Sequence, residues 1–317
     1  MSESPFLPNS QIRYAWDSTC LGAFKTCPRL YQYLYLDGWQ AKGESVHFRF
    51  GREYHTALEQ YDASRNNGVE HEDAIHDVIA DLLARTADYD PSPDTKAGRY
   101  KSRNNLVGLV VDYLDHFSND PAQTVILKNG KPATELSFRF DLPWAPQIQS
   151  TEPYPVNYLL CGHLDRIVNL NGGVMVMDRK TTTQTLGDYY FAQYEPNNQM
   201  SLYTLAGKVV LGSPVKGVII DAAQIKVREP NVFIRGFTYR TPDQIEEWLE
   251  DLRITLQVAE SYATAGYFPM NDTACDKFGG CQFRGICSKS PQVRETFLKS
   301  DFVKLPEDER WNPLKVR

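Results

Sequence analysis

Asp165, Asp178 and Lys180 flank the dipeptide Asn171-Gly172. Asn-Gly readily supplies the two positive-φ residues of a type I′ turn, so Tyr158 to Leu170 and Gly173 to Lys180 read as the arms of a β-hairpin. With that turn Asp165 sits directly opposite Asp178. Side chains alternate between faces, so Lys180 shares the face of Asp178, with His163 across from it. A two-residue slip onto Gly172-Gly173 pairs Asp165 with Lys180 and still leaves all three on one face. A three-residue loop would break the arrangement.

Two carboxylates facing each other across strands repel unless a cation lies between them. Mg²⁺ suits such a place, because it takes oxygen ligands and keeps waters and phosphate oxygens in its shell. A neighbouring ammonium can orient or help deprotonate the attacking water and offset charge on a phosphate. The competing account is an Asp165–Lys180 ion pair on a solvated hairpin face.

At 317 residues, 42% hydrophobic and 23% charged, the chain can bury a substantial core as one elaborated domain or two joined parts. No apolar run approaches the roughly 20 residues that span a bilayer, and Met1 to Ser10 lacks a charged and then apolar leader, so a cytoplasmic protein without a membrane partner is expected. In a reducing compartment six cysteines read as metal ligands or buried thiols rather than disulfides. The net charge of -6 weighs mildly against nucleic acid. Acids gathered round a metal are nevertheless compatible with a local basic groove.

The elements that must position the hairpin follow along the chain. A polar tail to about residue 15 precedes a short helix capped by Asp17 or Ser18 and ended near Cys27, with Pro28 in the first turn of the next. That second helix carries Tyr31, Tyr33, Leu34, Tyr35 and Trp39, which read as core packing, with base stacking as the alternative. An amphipathic helix covers 46–66, and two further helical patterns cover 71–89 and 106–117. Between those two, Arg99, Lys101 and Arg103 beside Tyr100 read as a solvated loop or as a phosphate-binding cluster. Ala133 to Leu142 alternates as a strand with Glu135 at its head, and a Pro-rich loop at 143–155 leads into the hairpin. A helix runs from Asn198 to about Leu211, and strands at about 215–228 and 232–240 make a second hairpin around Pro230-Asn231. Thr241 caps a final helix over 242–265, with Pro242 at its first position. The tail beyond 288 is polar and receives no function.

Gly162-x-x-Asp165 followed by Asp178-x-Lys180-Thr181 resembles the core of the PD-(D/E)XK nucleases, in particular the RecB-like branch that includes the AddB nucleases and the iron-sulfur CRISPR adaptation exonucleases. The resemblance extends over roughly residues 16–290. It takes in Ser18, Leu21, Phe24 and Cys27-Pro28, then Gly51-x-x-x-His55, then Gln199-x-x-x-Tyr203. It implies an α/β fold: a restriction-endonuclease-like mixed sheet flanked by helices, with a helical insertion and a C-terminal iron-sulfur segment. It also implies Mg²⁺ or Mn²⁺ held by His55, Asp165, Asp178 and the main-chain carbonyl of Arg179, the imidazole favouring Mn²⁺. Lys180 would orient the water, and Gln199 and Tyr203, on one helical face, would position the DNA strand. Glu135 would support the site from behind. Without the resemblance, His55 reads as an ordinary helical histidine and Glu135 as an ordinary strand residue.

Cys275, Cys281 and Cys287 fall at intervals of six, about 250 residues after Cys27. Together they look like the AddB-type [4Fe-4S] staple that joins the two ends of the chain. Their first interval departs from the branch's Cys-x-x-Cys-x₅-Cys, and four thiolates suit Zn²⁺ as well as an iron-sulfur cluster. Free buried thiols are the third reading, the part given to Cys20 and Cys161.

The expected division is 1–45 with the first cluster cysteine, 46–132 with the His motif, 133–240 as nuclease core, 241–290 with the C-terminal helix and cysteines, and a tail at 291–317. The expected function is a metal-dependent DNA nuclease, preferentially an exonuclease acting on DNA with a free end or on single strands. The alternatives are an endonuclease or protospacer-trimming enzyme and, from another class, a non-catalytic DNA-binding or assembly subunit, which would have no need of facing carboxylates. A homo-oligomer is compatible with this reading, and a helicase or integrase partner is not readable from the residues.

Overall fold

The computed structural model describes residues 3–147, 156–276 and 280–315. The chain divides into two compact units. One comprises Glu44–Leu136 and His163–Arg240; the other comprises Met1–Gly43, Ser137–Gly162 and Thr241–Arg317.

The first unit is built on a mixed sheet. Strand Leu159–Leu170, which belongs to this unit from His163 onward, pairs antiparallel with Gly173–Thr182. Gly173–Thr182 pairs parallel with Val218–Gln224, which in turn pairs antiparallel with Val232–Thr238. The short strand Gln123–Thr124 adds to the other edge of Leu159–Leu170. Asn171 and Gly172 take φ of 50° and 74°, and Leu170 pairs with Gly173, so the hairpin closes on the expected two-residue turn. Helix Asn198–Leu211 connects the parallel strands. It lies close on the sheet at Gly207, where a Cβ would come within 2.7 Å of Val176 Cγ2.

Helix Val46–Asn66 is capped by Ser45 and buries Phe50, Tyr54, Ala57, Leu58 and Tyr61, a stripe at helical spacing. His71–Arg85 offers Ala74, Val78 and Leu82 to the same core, and Arg103–His116 offers Leu106, Leu109, Val110 and Tyr113. Truncating a side chain such as Leu58 would cost about 2–5 kcal/mol.

The segment between those helices differs from both readings of its basic cluster. Lys96–Tyr100 is a short helix, and Lys101 is buried, its ammonium 5.2 Å from the centre of the Phe50 ring. Burial lowers the Lys101 pKa to about 8. Arg103 donates to the Leu83 carbonyl and to Thr86 Oγ1, leaving Arg99 as the exposed cation of the three. Of the expected cluster, Lys101 is therefore buried in the core and Arg103 is engaged by acceptors at the end of His71–Arg85.

In the second unit Asp17 caps helix Ser18–Thr26, accepting from the Cys20 N–H, and Pro28 opens the next helical turn. Tyr31 stacks on Trp16 at 5.4 Å, so the aromatic run here is core packing. Trp39 departs from the expected helix: Gly38, at φ 78°, ends it, and Trp39–Ala41 is a strand pairing antiparallel with Phe302–Lys304. The segment expected to be a polar N-terminal tail buries Leu7, Ile12 and Tyr14, and Ala15–Trp16 pairs parallel with Leu159 and Leu160. The expected C-terminal tail forms helix Arg294–Asp301, whose Leu298 joins Tyr33, Phe283 and Phe302 in a core cluster. Helix Pro242–Ala265 has the expected bounds and a capping box between Thr241 and Gln244. Positions 148–155 of the Pro-rich loop and 277–279 between the cysteines lie outside the described residues. Among the described residues no helix is long and apolar enough to cross a membrane.

Candidate active site

The hairpin ladder stops at Arg166 and Met177. Extending that register by one step sets Asp165 opposite Asp178. Here the Arg179 N–H is taken by a side chain: it donates to Asp165 Oδ2 at 2.9 Å. The end of the ladder thus turns the Asp165 carboxylate across the hairpin. Helix Val46–Asn66 brings His55 Nδ1 to 3.4 Å from the same oxygen and sets the imidazole beside the Arg179 main chain. Burial, ahead of every other cause, lowers the His55 pKa, so the ring is neutral and has a lone pair to offer.

Glu135 completes this corner. One donor atom each from His55, Glu135 and Asp165 lies within 4.8 Å of the others, close enough to share one ion. Glu135 has φ 45°, a left-handed conformation unusual for a side chain without local compensation. Its carboxylate is among the donors rather than behind them, which the alternating strand pattern did not suggest.

Asp178 is buried and paired with Lys180, whose Nζ lies 2.9 Å from Oδ1 and 2.7 Å from Oδ2. Oδ2 is in ion-pair contact only and makes no hydrogen bond. Burial raises the Asp178 pKa to about 6; Lys180 opposes the shift and Asp165 adds to it. Burial works against the Lys180 ammonium, but Asp178 and then Asp165 outweigh it, so its pKa lies above the ordinary value and the side chain stays charged. The competing hairpin reading, an Asp165–Lys180 pair, is replaced by this Asp178–Lys180 pair. Lys180 also donates to Gln199 Oε1 at 3.2 Å, and Gln199 Nε2 donates to the Tyr203 hydroxyl at 3.0 Å. Asn197 caps the helix that carries both, so the expected four-residue spacing does put them on one face beside the lysine.

Two residues escaped the sequence reading. The hydroxyls of Tyr190 and Tyr194 meet at 3.2 Å. Burial raises both pKa values, and Tyr190 also feels the charges of Lys180 and Asp178. Nothing in the run Asp188-Tyr189-Tyr190-Phe191-Ala192-Gln193-Tyr194 separates these tyrosines from core aromatics.

A neutral imidazole and two converging carboxylates are a donor set that fits a hard or borderline divalent cation, while the buried Asp178 carboxylate is engaged by Lys180.

In the other unit Cys27, Cys275, Cys281 and Cys287 line one small cavity with Leu30 and Phe283. The Asn271 N–H donates to Cys27 Sγ at 3.3 Å, and the Cys281 N–H donates to the Cys275 carbonyl at 2.8 Å. Burial raises the Cys281 and Cys287 thiols, with the other cysteines adding to the shift. Four thiols lining one cavity, with an N–H donated to one of them, are the donor type that suits a soft-metal or iron-sulfur centre. Cys20 and Cys161 are buried away from this cavity, and burial pushes Cys161 up to about 12.

The profile of the PD-(D/E)XK nuclease superfamily matches residues 18–288, and the chain belongs to that superfamily. PD-(D/E)XK nucleases use divalent metals, and the His55, Glu135 and Asp165 donors are present here. Solved structures similar to the chain include these two. One, titled "Putative exonuclease", is from Eubacterium rectale; it is 10% identical, with 83% of this chain and 86% of that one covered and a TM-score of 0.49. The other, titled only SSO0001, is 11% identical, with 67% and 87% covered and a TM-score of 0.26. No curated protein matches the chain.

Proposed function

We propose that the chain is a metal-dependent DNA exonuclease of the RecB-like branch, hydrolysing phosphodiesters at the end of the Asp165–Asp178 hairpin. The observation that carries this reading is the convergence of His55, Glu135 and Asp165 on one point beside the Asp178–Lys180 pair. A bound Mg²⁺ or Mn²⁺ would supply Lewis-acid stabilisation and a more acidic water. His55, Glu135 and Asp165, with Asp178 and the Arg179 carbonyl, are the residues to hold it. Lys180 remains a cation: aimed by Asp178 and Gln199, it donates to the nucleophile or to a phosphate oxygen and offsets charge that develops there. Gln199 and Tyr203 hold the lysine and offer polar groups to the phosphate backbone. The order of the motifs, Gly51-x-x-x-His55, Asp165, Asp178-x-Lys180 and Gln199-x-x-x-Tyr203, favours the RecB-like branch and, with it, exonuclease action on DNA ends or single strands.

The four cysteines are proposed to hold a [4Fe-4S] cluster, with Zn²⁺ as the alternative. Their shared cavity and the N–H···S contact at Cys27 support a metal there.

The decisive experiment is cleavage of end-labelled linear and closed circular DNA, single- and double-stranded, with Mg²⁺ and with Mn²⁺. Degradation confined to molecules with ends is the expected result. Nicking of closed circles would replace exonuclease by endonuclease, and absence of metal-dependent cleavage on every substrate would remove the catalytic reading.

A further inference from the structure

Behind the two catalytic aspartates lies a buried ionic cluster that the chemistry described above does not use. Each aspartate is followed in the chain by an arginine: Arg166 after Asp165 and Arg179 after Asp178. Alternation along the strands puts the carboxylates on one face of the hairpin and the arginines on the other. Both guanidinium groups approach one carboxylate, that of Asp62. Arg179 Nη2 donates to Asp62 Oδ2 at 2.6 Å, and Arg166 Nε stands 3.8 Å from the same oxygen. All three residues are more than nine-tenths buried.

Asp62 lies seven residues, or two turns, beyond His55 on one helix, so both project from the same side. The contacts close a circuit. The Arg179 main chain gives its N–H to Asp165 and lies beside His55, while its side chain returns to the His55 helix through Asp62. Arg166 is held independently by Thr124 Oγ1 at 2.8 Å, the Ala122 carbonyl at 3.0 Å and Asp120 at 3.2 Å. Arg179 is less secured: its Nε is buried without a partner.

A buried ion pair is a poor source of net stability, because desolvation offsets most of its attraction, and its best-attested use is to fix register. We propose that Asp62, acting through Arg179, is a positioning residue that sets the spacing between His55 and Asp165. The proposal rests on the reading of His55 and Asp165 as metal ligands. Groups that orient ligands from behind typically alter metal affinity 10–100-fold when removed.

The test is Mn²⁺ binding to the full-length protein without DNA, followed by electron paramagnetic resonance for wild type, Arg179→Ala, Asp62→Asn, the double variant and Asp165→Ala. Arg179→Ala keeps the main-chain groups that face the site and removes only the clamp. The Kd for Mn²⁺ is expected to rise about tenfold or more in each clamp variant. The double variant should be no worse than the weaker single, since both act through one contact. A role in stability alone would lower the melting temperature and leave the Kd of folded protein unchanged. Wild-type affinity in folded Arg179→Ala, with binding lost in Asp165→Ala, removes the positioning role and keeps the site. Wild-type affinity in Asp165→Ala removes the site and the positioning role with it. Should Arg179→Ala fail to fold, the isosteric Asp62→Asn carries the same outcomes.

Discussion

The Lys180 ammonium lies 2.9 Å from Asp178 Oδ1, two residues away on the same strand face, and Gln199 holds it from a helix at 3.2 Å. Two acceptors on different elements thus aim one cation that stays protonated. Replacing Asp165, Asp178 or Lys180 by Ala should cost several kcal/mol of transition-state stabilisation, a rate loss of about a thousandfold or more. Gln199→Ala, which removes one aiming contact and leaves the charge, should lose about ten- to a hundredfold. Single-turnover cleavage by purified, folded variants checks this; an Asp165, Asp178 or Lys180 variant within about tenfold of wild type would sink the assignment of that residue.

Much of this arrangement was legible because it is local. Asn171-Gly172 dictates its own turn, the turn dictates the register, and the register sets Asp165 against Asp178. The helix over Val46–Asn66 announces itself by periodicity and that over Pro242–Ala265 by its cap. What was not legible depends on distant partners. Arg179 meets Asp62 across 117 positions of chain. Lys101 is buried with its ammonium near the Phe50 ring, and no loop composition reveals that. Glu135 joins the donors through a left-handed φ, a backbone choice that side-chain alternation does not encode.

Glu135 gives a second prediction. A left-handed conformation costs a residue with a side chain about 1–2 kcal/mol, and glycine adopts it freely. Glu135→Gly should therefore relieve that backbone cost, yet bind Mn²⁺ about tenfold more weakly. His55→Ala should weaken Mn²⁺ binding similarly, and high Mn²⁺ should partly restore its cleavage. Thermal melts of the metal-free proteins beside Mn²⁺ titrations separate the two effects. An unchanged titration in folded Glu135→Gly would exclude that carboxylate from the donor set.

The pH dependence follows from Asp178, whose pKa burial raises to about 6 in the folded chain. The unfolded value is about 3.9. The metal-free fold therefore holds this proton more tightly than the unfolded chain does. The resulting stability is fully present below about pH 4 and is lost as pH rises through about 6. Asp178→Asn should remove this step, so its stability relative to wild type should increase from pH 4 to 7, by up to roughly 3 kcal/mol. Mn²⁺ must displace the same proton, so its affinity should rise up to about tenfold per unit below pH 6 and level off above. Chemical melts and Mn²⁺ titrations across that range check both; a difference between variant and wild type that does not vary with pH would rule out Asp178 as the titrating group.

The cysteine site gives the last prediction. Cys27 and Cys287 line one cavity although about 260 residues of chain separate them, so a metal bound by both closes a very long loop. In the chain-entropy model such a crosslink removes unfolded-state freedom worth roughly 5 kcal/mol. Metal binding at this place is then also folding energy. Single Cys→Ala changes at Cys27, Cys275, Cys281 or Cys287 should lower metal content, solubility and melting temperature together. Cys20→Ala and Cys161→Ala should leave metal content unchanged, because both thiols are buried outside the cavity. Protein purified without oxygen should be brown and carry about four irons per chain. A colourless preparation with one zinc per chain would replace the cluster by zinc and keep the four-cysteine site. Folded, metal-free protein with four titratable thiols at these positions would reject both.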